Sequence, residues 1–267
     1  MAVRLESEGR IRIVTMDRPA ARNAVDPGTA QALYAAMRAF EADDAADVAI
    51  FTGVGGTFCA GFDLKAATTA EAREWVAGLD IPEGWDDPVG TPLPSPMGPA
   101  RLMLSKPVIA AVEGPAVAGG LELACWCDLR VAGAGAVFGV YCRRWGVPLI
   151  DGGTVRLPLI LGQGRANDLI LTGRPVDARE ALAIGLADRV VPRGGALAAA
   201  LALARDLTRF PQGCLRADHL SARLPGADLA ARLRREWQSA RIFQEEGTHG
   251  AARFAAGRGR GGDFADI

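Results

Sequence analysis

Apolar residues recur along the chain with two different periods. Residues 3–8 and 10–16 alternate apolar with polar positions on either side of Gly9, which predicts two short strands joined as a hairpin. Beyond Asp26-Pro27 the period lengthens. Leu33, Met37 and Phe40 fall at helical spacing, with Asp26 placed to cap the helix and Pro27 at its first position. Three short apolar runs, 48–54, 107–112 and 129–132, read as buried strands, each followed by a glycine-bearing turn. Strand, glycine turn and helix recur without an exact repeat, the pattern of stacked α/β units. From Gly153 onward the chain reads as mostly helical, alanine-rich over 195–209 and amphipathic over 227–246. The expected organisation is a core over 1–194 and a helical region over 195–267, whose last residues, AAGRGRGGDFADI, form a poorly ordered tail.

Residues 81–99 follow neither period and hold six prolines and three glycines. A loop this long is either a plain surface connection or a functional element such as a substrate lid. The 267 residues are 49% hydrophobic and 23% charged, enough to bury a sizeable core, and favour one large domain with or without an appendage. A net charge of -1 gives no electrostatic footprint for nucleic acid or an anionic membrane. The apolar stretches stop well short of the ~20 residues of a membrane span, and the first residues enter a strand pattern instead of a signal segment. Five cysteines, an odd number without regular spacing, suit a reducing compartment, so a cytoplasmic location is expected.

Several common chemistries lack their residues. Only His219 and His249 could serve a Ser-His-Asp triad, and no G-x-S-x-G elbow, phosphate loop or dinucleotide fingerprint occurs. Cys125 and Cys127 fit buried packing better than a metal site. Carboxylates and backbone dipoles remain. The segments FCAGFDL (58–64) and AVAGGLEL (116–123) each read as a glycine turn between a strand and the start of a helix. Unpaired N–H groups there could converge into an oxyanion hole, with Glu122 acting on a nearby proton or water. The plainer alternative is that Gly119-Gly120 caps a helix whose dipole favours Glu122.

These segments, with RNAVDPGTAQAL, GVGGTFCAGFDL, KPVIAAVEGPAVAGGLELACWCDLRVA, FGVYCRRWGVPLIDGGTVRLPLILG and LILTGRPVDAREALAIGLADRVVP, resemble the crotonase superfamily in order along nearly the whole chain. The resemblance implies an α/β spiral of repeated ββα units, then C-terminal helices that build a homo-trimer or hexamer. It implies an acyl-CoA thioester substrate whose oxygen is held by the Phe62 and Gly119 N–H groups. Coenzyme A would lie along Arg22, Ala24, Ala60, Asp63 and Leu64, Ala118 and Cys142 would belong to the substrate-binding site, and no metal or redox cofactor is required.

One position departs from the pattern. Hydratases of this superfamily place two glutamates about a water; the first matches Glu122 and the second falls on Cys142, a thiol that cannot copy a carboxylate. Asp151 is the candidate replacement, though it could equally cap a helix beginning near Gly153. Arg143 or Arg144 could pair with Asp151 or Glu122, and Trp145 could pack on the acyl group or simply in the interior. The expected activity is enoyl-CoA hydration with Glu122 as acid/base. A one-base double-bond isomerase and a catalytically idle acyl-CoA-binding homologue are the alternatives.

Overall fold

The computed structural model describes residues 2–258, apart from the side chains at 244 and 245. The hairpin forms as expected: β1 (Val3–Glu8) pairs antiparallel with β2 (Ile11–Met16), Val3 opposite Met16. Next, α1 (Pro27–Ala42) starts with Pro27, and Asp26 caps it by accepting from the Thr29 N–H at 2.8 Å. The chain continues through β3 (Val48–Gly53), α2 (Ala70–Ala77), β4 (Val108–Val112), β5 (Pro115–Val117), α3 (Gly119–Trp126), β6 (Leu129–Gly133) and β7 (Val137–Gly139). After a 3₁₀ turn at Tyr141–Trp145 come α4 (Gly153–Leu161), α5 (Gln163–Thr172), β8 (Val176–Asp177), α6 (Ala178–Ile184) and β9 (Arg189–Val191). The remainder is helical: α7 (Ala196–Thr208), α8 (Gln212–Ser221), α9 (Gly226–Trp237), α10 (Ala240–Ile242) and α11 (Thr248–Ala255). The tail from residue 259 lies outside the described residues.

The apolar runs are continuous, not alternating, because their strands are buried on both faces. They form one sheet in the order β1-β2-β3-β4-β6-β9, parallel except for the first pair. One face packs on Phe51, Val112, Leu121 and Phe138, among others. Across the other lies α7, whose Ala196, Ala200, Leu203 and Ala204 cover Ile50, Ile109 and Val131. Alanine at helical spacing lets α7 sit close to the sheet, which explains the alanine-rich stretch of the sequence.

After most sheet strands the chain makes a second, shorter extended segment. β5 pairs with β7, and β7 with β8. Isolated parallel bridges Cys59↔Ala116 and Val25↔Phe62 continue this second layer. The repeated strand, short strand and helix are thus the units of a spiral, and the short strands carry the site. Residues 81–99 form no helix or strand but pack tightly. The Trp85 indole donates to Thr91 O at 2.7 Å, and Arg101, fully buried, donates to Leu79 O at 2.6 Å and Pro94 O at 3.0 Å. This segment walls the site.

Candidate active site

At the end of β5, Ala118 turns the chain with φ +53° and ψ −126°, and Gly119 opens α3. An alanine in that region is strained by about 1–3 kcal/mol. The turn is nevertheless fixed, because the Ala118 N–H donates to Gly139 O at 2.9 Å. Gly61, at φ +95°, abuts it so closely that an added Cβ would sit 3.0 Å from Gly119 N. The two glycine turns therefore touch, and only glycine fits the first. The paired glycines of the second have separate neighbours. A Cβ on Gly120 would fall 2.1 Å from Cys59 O, and one on Gly119 would fall 2.7 Å from the Met97 sulfur.

Phe62 does not begin a helix, contrary to the expectation from sequence. Val25 donates to Gly61 O and accepts from the Asp63 N–H, both at 2.8 Å, so their parallel bridge leaves the intervening Phe62 N–H unused. Among the described residues neither the Phe62 nor the Gly119 N–H has a hydrogen-bond acceptor. Both residues line a cavity of about 750 Å³. The first N–H of α3 also stands at the positive end of its helix.

Glu122, in the first turn of α3, reaches the start of α4. Its Oε1 accepts from the Asp151 and Gly153 N–H groups, each at 2.9 Å. Asp151 is no helix cap: Gly152 occupies the cap position, and Asp151 Oδ1 instead accepts from the Met97 N–H at 2.9 Å. Both carboxyl groups are 3% exposed and line the same cavity. Burying a carboxylate costs several kcal/mol, which two charge-assisted hydrogen bonds of about 1.5–3 kcal/mol each offset, and like charge from neighbouring carboxylates then tips the balance against ionisation. Burial, then the charges of Asp151 and Glu236, hold Glu122 well above the usual glutamate range. Burial raises Asp151 as well, against the Ser95 hydroxyl, the Met97 N–H and the charges of Arg101 and Arg156. Each carboxyl group of the pair is thus biased toward its protonated form.

The cavity also gathers Arg22, Ala24, Ala60, Asp63, Leu64, Ala118, Cys142 and Trp145. Cys142 is buried, and its thiol is pushed up to about 12 by burial and then by Glu122, which leaves it neutral. Arg143 and Arg144 are not the cations facing Asp151. Arg143 donates to Ile170 O at 3.1 Å, and the Arg144 guanidinium lies 4.7 Å from the Tyr141 ring centre. Trp145 both lines the cavity and packs edge-on against Phe254 at 5.4 Å. His219 is far from this chemistry, held 2.7 Å from Asp128 Oδ1. Among the described residues no group of three or more His, Cys, Asp or Glu could hold a metal ion.

Sequence reasoning missed four contributors. Arg18 and Lys65 line the cavity beside Arg22. Asn23, buried at φ +53°, donates to Val54 O at 2.9 Å and Thr57 O at 2.7 Å, tying the two short-strand segments together. Glu236 of α9 holds the turn beneath Glu122. The signal for it was present, since Leu229, Leu233 and Glu236 occupy one helical face and put a carboxylate in an apolar stripe.

A model of the enoyl-CoA hydratase/isomerase family matches residues 6–95 and 99–255. An enoyl-CoA hydratase of Mycobacterium tuberculosis is 42% identical over 207 residues, 75% of this chain and 72% of that protein. A carnitinyl-CoA dehydratase of Salmonella arizonae is 40% identical over 210 residues, 78% of this chain and 75% of that protein. The crystal structure of a carnitinyl-CoA hydratase from Mycobacterium avium has a TM-score of 0.79 at 33% identity, covering 96% of each chain. A mycobacterial enoyl-CoA hydratase structure, also from Mycobacterium avium, has a TM-score of 0.75 at 34% identity and covers 93% of this chain and 100% of its own. The resemblance read from five segments in sequence order is thus borne out along most of the chain, which belongs to the enoyl-CoA hydratase/isomerase family.

Proposed function

We propose that the protein adds water across the double bond of an enoyl-CoA thioester. The observation that carries this reading is the buried pair Glu122 and Asp151, lining one cavity with the unused Phe62 and Gly119 N–H groups. The thioester oxygen accepts from those two N–H groups, which stabilise the negative charge it gains as the enolate forms. Ionised Asp151 takes a proton from water as the water oxygen bonds to the β-carbon. Protonated Glu122 gives its proton to the α-carbon, and a proton returned from Asp151 to Glu122 restores the pair. Glu122 Oε1 is fixed by two N–H groups, which leaves Oε2 as the transferring atom.

Coenzyme A lies along Arg22, Ala24, Ala60, Asp63 and Leu64 in this reading, with the cations Arg22 and Lys65 meeting its phosphates and Arg18 held by Asp26 and Asp63. Ala118, Cys142 and Trp145 contact the acyl part. Addition of water changes no oxidation state overall, so the mechanism calls for no redox cofactor, and the N–H pair takes the part of a Lewis acid. The C-terminal helices assemble the chain into a trimer or hexamer in the cytoplasm; among the described residues no helix is long and apolar enough to cross a membrane.

The neutral thiol of Cys142 favours one competing reading. With no second glutamate at that place, Glu122 alone could shuttle a proton between the α- and γ-carbons of an enoyl-CoA, shifting its double bond. Assays of crotonyl-CoA hydration and of 3-enoyl-CoA isomerisation separate the two. For either, Glu122→Gln is expected to lower kcat by about 10²–10⁴-fold with thioester binding retained. Undiminished turnover in that variant would remove Glu122 from the chemistry.

A further inference from the structure

One short turn serves two glutamates from distant parts of the chain. Of its four successive N–H groups, those of Asp151 and Gly153 point to Glu122. The alternate pair points to Glu236: Gly152 donates to Oε2 at 2.6 Å and Thr154 to Oε1 at 2.8 Å, with the Thr154 hydroxyl adding a third bond at 2.7 Å. Glu236 is buried on the apolar face of α9, where Leu229, Ala230 and Leu233 pack with Val155 of α4. It does not line the cavity. The local cap position cannot do this work, because Gly152 has φ +89° and no side chain. A leucine at 236 would complete the apolar stripe, so the buried carboxylate needs a reason beyond packing.

We propose that Glu236 is a positioning residue for the acid/base centre, clamping the 151–154 turn so that its alternate N–H groups hold Glu122. The inference rests on the reading of Glu122 as acid/base. It makes the C-terminal helices part of the working site, because α9 supplies the acceptor for two of the turn's four N–H groups. Glu236 also acts by its charge. The ionisable groups around it are Glu122 on α3, Asp151 in the turn, Arg156 on α4 and Arg101 beyond the proline-rich wall. Above about pH 7, where Glu236 is ionised, its negative charge raises Glu122, so its removal moves a Glu122 limb in that range to lower pH.

The test compares wild type, Glu236→Gln, Glu236→Ala, Glu122→Gln and the double variant Glu122→Gln/Glu236→Gln, with crotonyl-CoA as probe. In Glu236→Gln one carboxylate oxygen becomes an NH₂ that cannot accept from Gly152. Its kcat is expected to fall roughly 10²-fold, with KM nearly unchanged and the pH limb shifted downward. Glu236→Ala should lose at least as much. In the Glu122→Gln background the same change should cost little more, since Glu236 works through Glu122. Wild-type kcat with an unmoved pH limb in Glu236→Gln would overturn the clamp, as would an equal loss with and without Glu122. Full turnover of Glu122→Gln would instead remove the acid/base reading on which the clamp rests. Glu236→Gln conserves shape, so the comparison stands even if Glu236→Ala fails to fold.

Discussion

Glu122 sits where opposing demands on one carboxyl group meet. Two N–H groups fix its Oε1, while burial and two neighbouring carboxylates oppose its charge, and the outcome is a group poised to give a proton. Cys142 is the contrasting case. Its thiol, pushed up to about 12 by burial and then by Glu122, stays neutral at pH 7. Cys142→Ser should therefore leave turnover close to wild type, measured on the same enoyl-CoA, and a collapse of kcat would show that the thiol takes part. Single residues were legible in the sequence where chemistry and local context coincide, as at Glu122 beside a double glycine. Asn23 and Glu236 were not, because each acts on backbone far away in the chain. Asn23 bonds to Val54 and Thr57, and Glu236 to Gly152 and Thr154.

At the scale of elements, two glycines in helices make opposite predictions. Gly120 lies where α3 meets the Cys59 carbonyl, and a Cβ there would fall 2.1 Å from that oxygen. Gly120→Ala should destabilise the protein by about 1–3 kcal/mol or more, read from its urea midpoint. Gly28, in the first turn of α1, has only Asp26 Oδ1 near an added Cβ, at 3.9 Å. Gly28→Ala should raise stability by about 0.5–1 kcal/mol in the same measurement. The sheet strands and α1 were legible because burial imposes local patterns on them: continuous apolar runs, and a capped helical stripe. The loop at Phe62 resembles a helix start in sequence because what frees its N–H is a bridge to Val25, and local periodicity carries no trace of it.

For the whole molecule, three buried carboxyl groups from α3, the 151–154 turn and α9 meet at the N-terminus of α4, which couples folding to pH. Burial lifts Glu236 from an ordinary 4.5 to about 7. Below pH 4.5 the group is protonated in folded and unfolded chains alike. Between about 4.5 and 7 the unfolded chain releases the proton while the folded one keeps it, so this group makes stability fall as pH rises through that window. Urea midpoints of wild type and Glu236→Gln between pH 4 and 8 should therefore diverge, with the variant losing less as pH rises across the window. Parallel curves would mean that Glu236 titrates as an ordinary glutamate. The repeating units of the spiral were legible as recurring strand, glycine turn and helix. Its second layer was not, because it is built from strands of two or three residues and single bridges too short to leave a period.

In the proposed mechanism Asp151 serves as the second carboxylate, the part that Cys142 cannot play. Steady-state hydration of crotonyl-CoA by Asp151→Asn is the decisive measurement. The variant keeps the shape of the side chain and the backbone N–H that holds Glu122. Its kcat is expected to fall by about 10²-fold or more while the thioester still binds. Hydration at the wild-type rate would contradict it, and would leave Glu122 as the only working carboxylate of the site.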